Sequence, residues 1–148
     1  MRLAIGSDHA GYHLKQELLT QLSKEGIPYD DMGTNSSESC DYPDFAQKVA
    51  EAVSAGKADL GVLVCGTGQG MAMAANKLPG IRAAVAAEPY SARLSREHND
   101  ANVLCLGARV VGSGMALECL GAWLSASFQG GRHQRRVDKM AAMGERKG

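Results

Sequence analysis

Leu60-Gly61-Val62-Leu63-Val64-Cys65-Gly66-Thr67-Gly68-Gln69-Gly70-Met71, or LGVLVCGTGQGM, passes from an apolar run into three glycines at alternate positions. A continuous run such as Leu60–Val64 is expected of a strand covered on both faces. The glycines let the backbone bend tightly and approach a ligand closely. With a helix opening near Met71, the stretch reads as one β–α unit.

The pattern repeats on both sides. Leu3-Ala4-Ile5 is a short strand ending in Gly6-Ser7-Asp8, and Leu14, Leu18, Leu19 and Leu22 then form the stripe of an amphipathic helix closed by Gly26. Ile27–Met32 is a weaker strand candidate. Asp41-Tyr42-Pro43 reads as an N-cap with proline in the first turn, followed by Ala46, Val49, Ala50 and Val53 at helical spacing. Ala83–Ala87 and Val103–Leu106 are further buried strands, with a helix after each. Met115–Phe128 reads as a long apolar helix and Arg132–Met143 as a final basic one. Five β–α units with buried strands predict a three-layer α/β/α, Rossmann-like domain with a five-stranded parallel sheet and a C-terminal helix. Residues 1–148 form one domain, with a flexible tail expected from about 144 to 148 on composition. Ligands of such sheets bind beyond the carboxyl ends of the strands, which directs attention to Gly6–Gly11, Cys65–Gly70 and the region near His98–Asn99.

Composition narrows the partners. Sixteen basic and sixteen acidic side chains cancel in 148 residues, so no global field favours nucleic acid or an anionic membrane. One Trp and two Phe argue against a stacking surface for single-stranded nucleic acid. The opening Met-Arg-Leu-Ala-Ile-Gly is too short for a signal peptide, and no run approaches the roughly 18 apolar residues of a membrane span. A cytoplasmic location is expected. Cys40, Cys65, Cys105 and Cys119 lie far apart with no C-x-x-C pair, so reduced thiols are expected and a zinc site is not.

Three known chemistries fail on the glycine loop. A dinucleotide fingerprint needs its third glycine where Met71 stands, although Glu88 lies at nearly the right distance for the acidic residue. A nucleotide P-loop needs a lysine at its end, and none occurs until Lys77. A cysteine phosphatase loop needs an arginine at the position Met71 occupies to stabilise the transferring phosphoryl group. A general reading survives. The amides of Gly66 to Gly70 form a nest for developing negative charge, and a cysteine entering a helix N-terminus is favoured as thiolate, a nucleophile or base. The alternative for Cys65 is a buried cysteine that simply ends a strand.

Other polar stretches stay open on local grounds. Asp8 of GSDHAG either faces the ligand edge or caps the next helix. His9 and His13 have helical spacing without the acidic residue of a zincin pattern, and His13 reads as surface. His98 of EHNDANVL can exchange a proton near neutral pH, or is an ordinary loop histidine. Arg132 and Arg136 of GGRHQRRVDK share a helix face and can clamp a phosphate, or form a solvated basic face.

Together GSDHAGYHLK, DYPDFA, CGTGQGMAMAANK, GIRAA, EHNDANVLCLGARV and GGRHQRRVDK, in this order along almost the whole chain, resemble the ribose-5-phosphate isomerase B family, within the group that includes galactose-6-phosphate isomerase subunits. The resemblance implies cofactor-free, metal-free aldose–ketose isomerisation of ribose 5-phosphate and ribulose 5-phosphate through a cis-enediolate. It implies a homodimer, or a dimer of dimers, with active sites between subunits. By this match Cys65 is the base moving the proton between C1 and C2, and Gly66, Gly68, Gln69 and Gly70 hold the enediolate. His98, with Thr67, assists ring opening, and Asp8, Tyr42 and Asn99 bind sugar hydroxyls. His9, Arg109, Arg132, His133 and Arg136 surround the phosphate, the last four reaching across from the partner. One branch of the family carries a glutamate base where Met71 stands, so this chain resembles the cysteine type. Gln69 departs from the apolar residue often found there, with an altered local hydrogen bond as the expected effect. A hexose 6-phosphate substrate, or a non-catalytic sugar-phosphate-binding module, is the alternative.

Overall fold

A computed structural model describes residues 1–145. The elements alternate as predicted: β1 Leu3–Ser7, α1 Tyr12–Glu25, β2 Tyr29–Asp31, α2 Tyr42–Ser54, β3 Leu60–Cys65, α3 Gln69–Ala75, β4 Ala83–Val85, α4 Pro89–Glu97, β5 Val103–Gly107, α5 Ser113–Ser125 and α6 Arg132–Glu145. The five strands form one parallel sheet in the order β2-β1-β3-β5-β4. The expected tail falls partly on α6, which runs through Gly144 to Glu145. Residues 146–148 lie outside the described ones.

The strand period of two sorts the core into halves. Leu3, Ile5, Val62, Val64, Leu104 and Leu106 pack with the leucine stripe of α1 and with Ala116, Cys119, Leu120 and Trp123 of α5. Ala4, Leu63, Cys65, Val103 and Cys105 face α2 and α3 through Ala46, Val49, Ala50, Met71 and Ala75. Helices thus cover both faces of the sheet, and the continuous apolar strands are the consequence.

Ends differ from the sequence reading in places. β4 stops at Val85, an edge strand paired only with β5. Asp41 does occupy the N-cap of α2 and Pro43 its first turn, but the Asp41 side chain makes no capping bond. Glu88 caps α4, accepting from Ser91 N at 3.0 and 3.1 Å. These bonds hold its carboxyl below the usual carboxylate range. Glu88 therefore starts a helix and has no part in a dinucleotide site.

The chain moves from β1 outward to β2 and returns past β1 to β3, so the topological switch lies between β1 and β3. Loops 8–11 and 65–70 stand at that crevice. His98 and Asn99 do not, which corrects the expectation that they share the carboxyl edge. α4 runs back across the sheet, and Asn102 accepts from Gly61 N at the opening end of β3. From the Gly61–Val103 pair to the Cys65–Gly107 pair the strands advance four residues, about 13 Å at ~3.3 Å per residue. His98 lies beyond the near end of that span and Cys65 at its far end.

Candidate active site

Cys65 is the last residue of β3 and only 5% exposed. The backbone turns immediately after it, and Gly68, at φ +81, makes that turn in the left-handed region where a side chain is strained. The turn brings the Gly68 amide to Cys65 Sγ, donating at 3.2 Å. The loop rests on the end of β5, where a Cβ on Gly107 would meet the Thr67 carbonyl carbon at 2.7 Å.

The other cysteines serve differently. Burial pushes the Cys105 thiol far up, with Cys65 adding a smaller push, and burial also raises Cys119. Both are core thiols held protonated. All four cysteines are free.

Not every amide of the nest points at a ligand. Gly68 N–H is committed to Cys65 Sγ, and Gln69 N–H donates to Thr67 Oγ1 at 3.3 Å. Of the four residues expected around an oxyanion, Gly66 and Gly70 keep amides outside these bonds. Gly70 also has no room for a side chain, since a Cβ there would lie 2.6 Å from the Tyr42 ring. Tyr42 therefore stands over the start of α3.

Asp8 does not cap α1, whose N-cap is Gly11 without a side-chain bond, but it shapes the turn ahead of that helix. Its Oδ1 accepts from Gly11 N at 3.0 Å, shaping the turn into α1, and its amide donates to Val64 O at 3.2 Å. Oδ2 has no hydrogen bond among the described residues. His9 Nδ1 accepts from Cys40 N at 3.2 Å, and Nε2 has no hydrogen bond among the described residues. Arg109 lies beside the Cys65 turn of its own chain. Its amide donates to Gly66 O at 2.9 Å, and its Nη1 would lie 3.3 Å from a Cβ on Gly66. Asp8, His9, Tyr42, Cys65 to Gly70 and Arg109 thus gather at the β1–β3 switch.

The remaining residues gather at the other end of the sheet. His98 ends α4, and His133, near the start of α6, stacks on it with ring centroids 4.2 Å apart. A cleft of ≈ 360 Å³ opens there, lined by His98, Asn99, His133, Arg136, Val137 and Met140. Arg132 is exposed beside it. A larger hollow of ≈ 550 Å³ beyond β2 contains none of the candidate residues. Chemistry rather than size locates the site.

Two supporting groups escaped the sequence reading. Asp100, at φ +50, follows His98–Asn99, and its carboxylate accepts from Arg82 and Arg96, each at 3.2 Å. Arg82 Nε also reaches the Asp100 carbonyl at 2.7 Å, so the loop carrying His98 is clamped. The i, i+4 spacing of Arg96 and Asp100 was a usable signal. Lys15 is fully buried and donates to Asp31 Oδ1 at 2.7 Å, while Gly33 N donates to the same oxygen. This pair anchors the start of the segment that leads to Cys40 and Tyr42.

No group of three or more possible metal ligands occurs among the described residues, and no described helix is long and apolar enough to cross a membrane.

The sequence profile described as Ribose/Galactose Isomerase matches residues 3–140. The chain is 51% identical to ribose-5-phosphate isomerase B of Escherichia coli (strain K12), over 99% of this chain and 98% of that protein. A solved structure of ribose-5-phosphate isomerase B from Clostridium thermocellum superposes with a TM-score of 0.97 at 56% identity, covering 98% of both chains. That of Mycoplasma genitalium with bound ribulose-5-phosphate gives 0.93 at 41% identity, covering 99% of this chain and 97% of that one.

Proposed function

The chain belongs to the ribose/galactose isomerase family, and from that premise we propose that it interconverts ribose 5-phosphate and ribulose 5-phosphate, with Cys65 as the base. The observation that carries the reading is the Gly68 N–H on Cys65 Sγ at the mouth of the β1–β3 switch. In the open-chain aldose the C2–H bond breaks, and the proton passes to the Cys65 thiolate. The electron pair becomes the C1=C2 double bond while charge moves to O1. The Gly66 and Gly70 amides stabilise that charge, the kind of interaction that gives most of the rate in such reactions. The thiol then returns the proton to C1 and the O2 hydroxyl proton passes to O1, leaving the ketone.

Ring opening needs a second proton carrier, and His98 is assigned that task with Thr67. His98 and Thr67 of one chain lie at opposite ends of the sheet, so the His98 that meets Cys65 comes from a second copy. We take the working form to be a homodimer with two sites, each joining one chain's switch-point cluster to the partner's His98–Asn99, Arg132 and Arg136. Asp8, Tyr42 and Asn99 bind hydroxyls, and His9, Arg109, Arg132 and Arg136 hold the phosphate. Binding this remote group orients the reacting carbons. The cytoplasm, where sugar phosphates are made and used, is the proposed location.

A panel of pentose and hexose phosphates tests the substrate. Ribose 5-phosphate is expected to show a kcat/KM at least about tenfold above allose 6-phosphate or galactose 6-phosphate, unchanged by a chelator. A hexose phosphate matching it, or loss of activity with chelator, would overturn the assignment.

A further inference from the structure

His133 is 7% exposed, although Arg132, Gln134, Arg135 and Arg136 around it are all exposed. Its imidazole lies flat on that of His98, with the planes 11° from parallel. Its Nε2 is buried and takes no hydrogen bond among the described residues. A phosphate oxygen must come within hydrogen-bond distance to bind, and an atom closed to water is closed to that oxygen as well. Burial, then His98, Arg132 and Arg136, also disfavour the cationic form of His133. Nε2 is therefore unavailable for the phosphate contact that the sequence reading gave this residue.

His98 needs something to orient it. It ends α4, its amide bonds Leu94 O at 2.8 Å, and its ring has no hydrogen bond among the described residues. The connection leading into α6, together with the first turns of α6, provides a fixed surface at that point. Gln129 N donates to Glu97 O at 2.9 Å, Gln129 Nε2 reaches Glu97 Oε2 at 3.3 Å, and Val137 is buried one turn beyond His133.

We propose that His133 is a positioning residue for His98: its ring is the platform that holds the His98 imidazole for proton transfer to the sugar ring, and the phosphate is left to the arginines and His9. This rests on the isomerase reading, which gives His98 its task.

His133→Phe keeps a flat ring, and His133→Ala removes it. In steady-state kinetics with ribose 5-phosphate, His133→Ala is expected to lose about tenfold or more in kcat, with KM within about twofold, as misorientation does. His133→Phe should return kcat to within about threefold of wild type. A KM rise of about tenfold or more in both variants would make His133 a phosphate ligand and overturn the proposal. So would a His133→Phe as slow as His133→Ala, or a His133→Ala as fast as wild type. A second arm does not depend on activity. The His98 ring-proton resonances should shift in His133→Ala, where the stacked ring is lost, and move little in His133→Phe. Unchanged His98 resonances in His133→Ala would remove the platform outright. Failure of the wild-type protein to turn over ribose 5-phosphate would instead remove the isomerase reading.

Discussion

Cys65→Ala leaves a folded protein whose kcat for ribose 5-phosphate falls about a thousandfold or more, the upper part of the range for losing a general base. No other thiol among the described residues stands at that turn to take over the work. Cys105 and Cys119 are core thiols that burial keeps protonated, and Met71, where some relatives of the resembled family carry a glutamate, has no proton to exchange. The substitution removes one buried sulfur from the end of a strand, so the cost to folding is about 1 kcal/mol, an ordinary value for a point change. The Gly68 amide loses its acceptor and becomes free to water or substrate. Circular dichroism and the melting transition should stay close to wild type. As a control, Cys119→Ala should keep kcat within about threefold, since it touches the core and not the turn. A Cys65→Ala enzyme running at the wild-type rate would end the proton-transfer role.

Two inactive proteins mixed into one dimer recover activity. Cys65→Ala lacks the base and His98→Ala lacks the ring-opening group, so each homodimer has two defective sites. In a mixed dimer one site combines both defects, and the other combines an intact Cys65 with an intact His98. Co-expressed, separately tagged and purified as the mixed species, it should reach about half of the wild-type activity per dimer, because symmetry gives one good site of two. The reason lies in the parallel sheet: Cys65 ends β3 and His98 precedes β5, and β3 and β5 run side by side in register from Gly61–Val103 to Cys65–Gly107. Mixed dimers as inactive as their parents would place the whole site within one chain.

The edge on which His98 lies was legible and was misread. Closeness to a strand in sequence is not closeness to its carboxyl end, and a residue leading into a parallel strand belongs to the other side of the sheet. Layering and helix faces read well, because apolar runs bounded by glycine and the Leu14–Leu22 stripe each have one stable way to be buried. The burial of Lys15 was also within reach, since Lys15, Leu18, Leu19 and Leu22 share one face at helical spacing. Its partner Asp31 was not, as that pairing depends on how α1 docks beside β2. At the site, the turn after Cys65 was readable from strand, glycines and helix. The division of its amides was not: which N–H meets sulfur, hydroxyl or substrate follows from φ at Gly68 and the rotamer of Thr67. The stack of His98 and His133, 35 positions apart, left no local pattern at all.

The central claim is that this chain moves a proton between C1 and C2 of a bound pentose phosphate. Incubation with ribose 5-phosphate in D2O tests it most directly, with products followed by NMR. The account predicts ribulose 5-phosphate in the mixture and deuterium at C2 of the ribose 5-phosphate recovered. Ribose 5-phosphate that binds and comes back unconverted, with hydrogen still at C2, would contradict it.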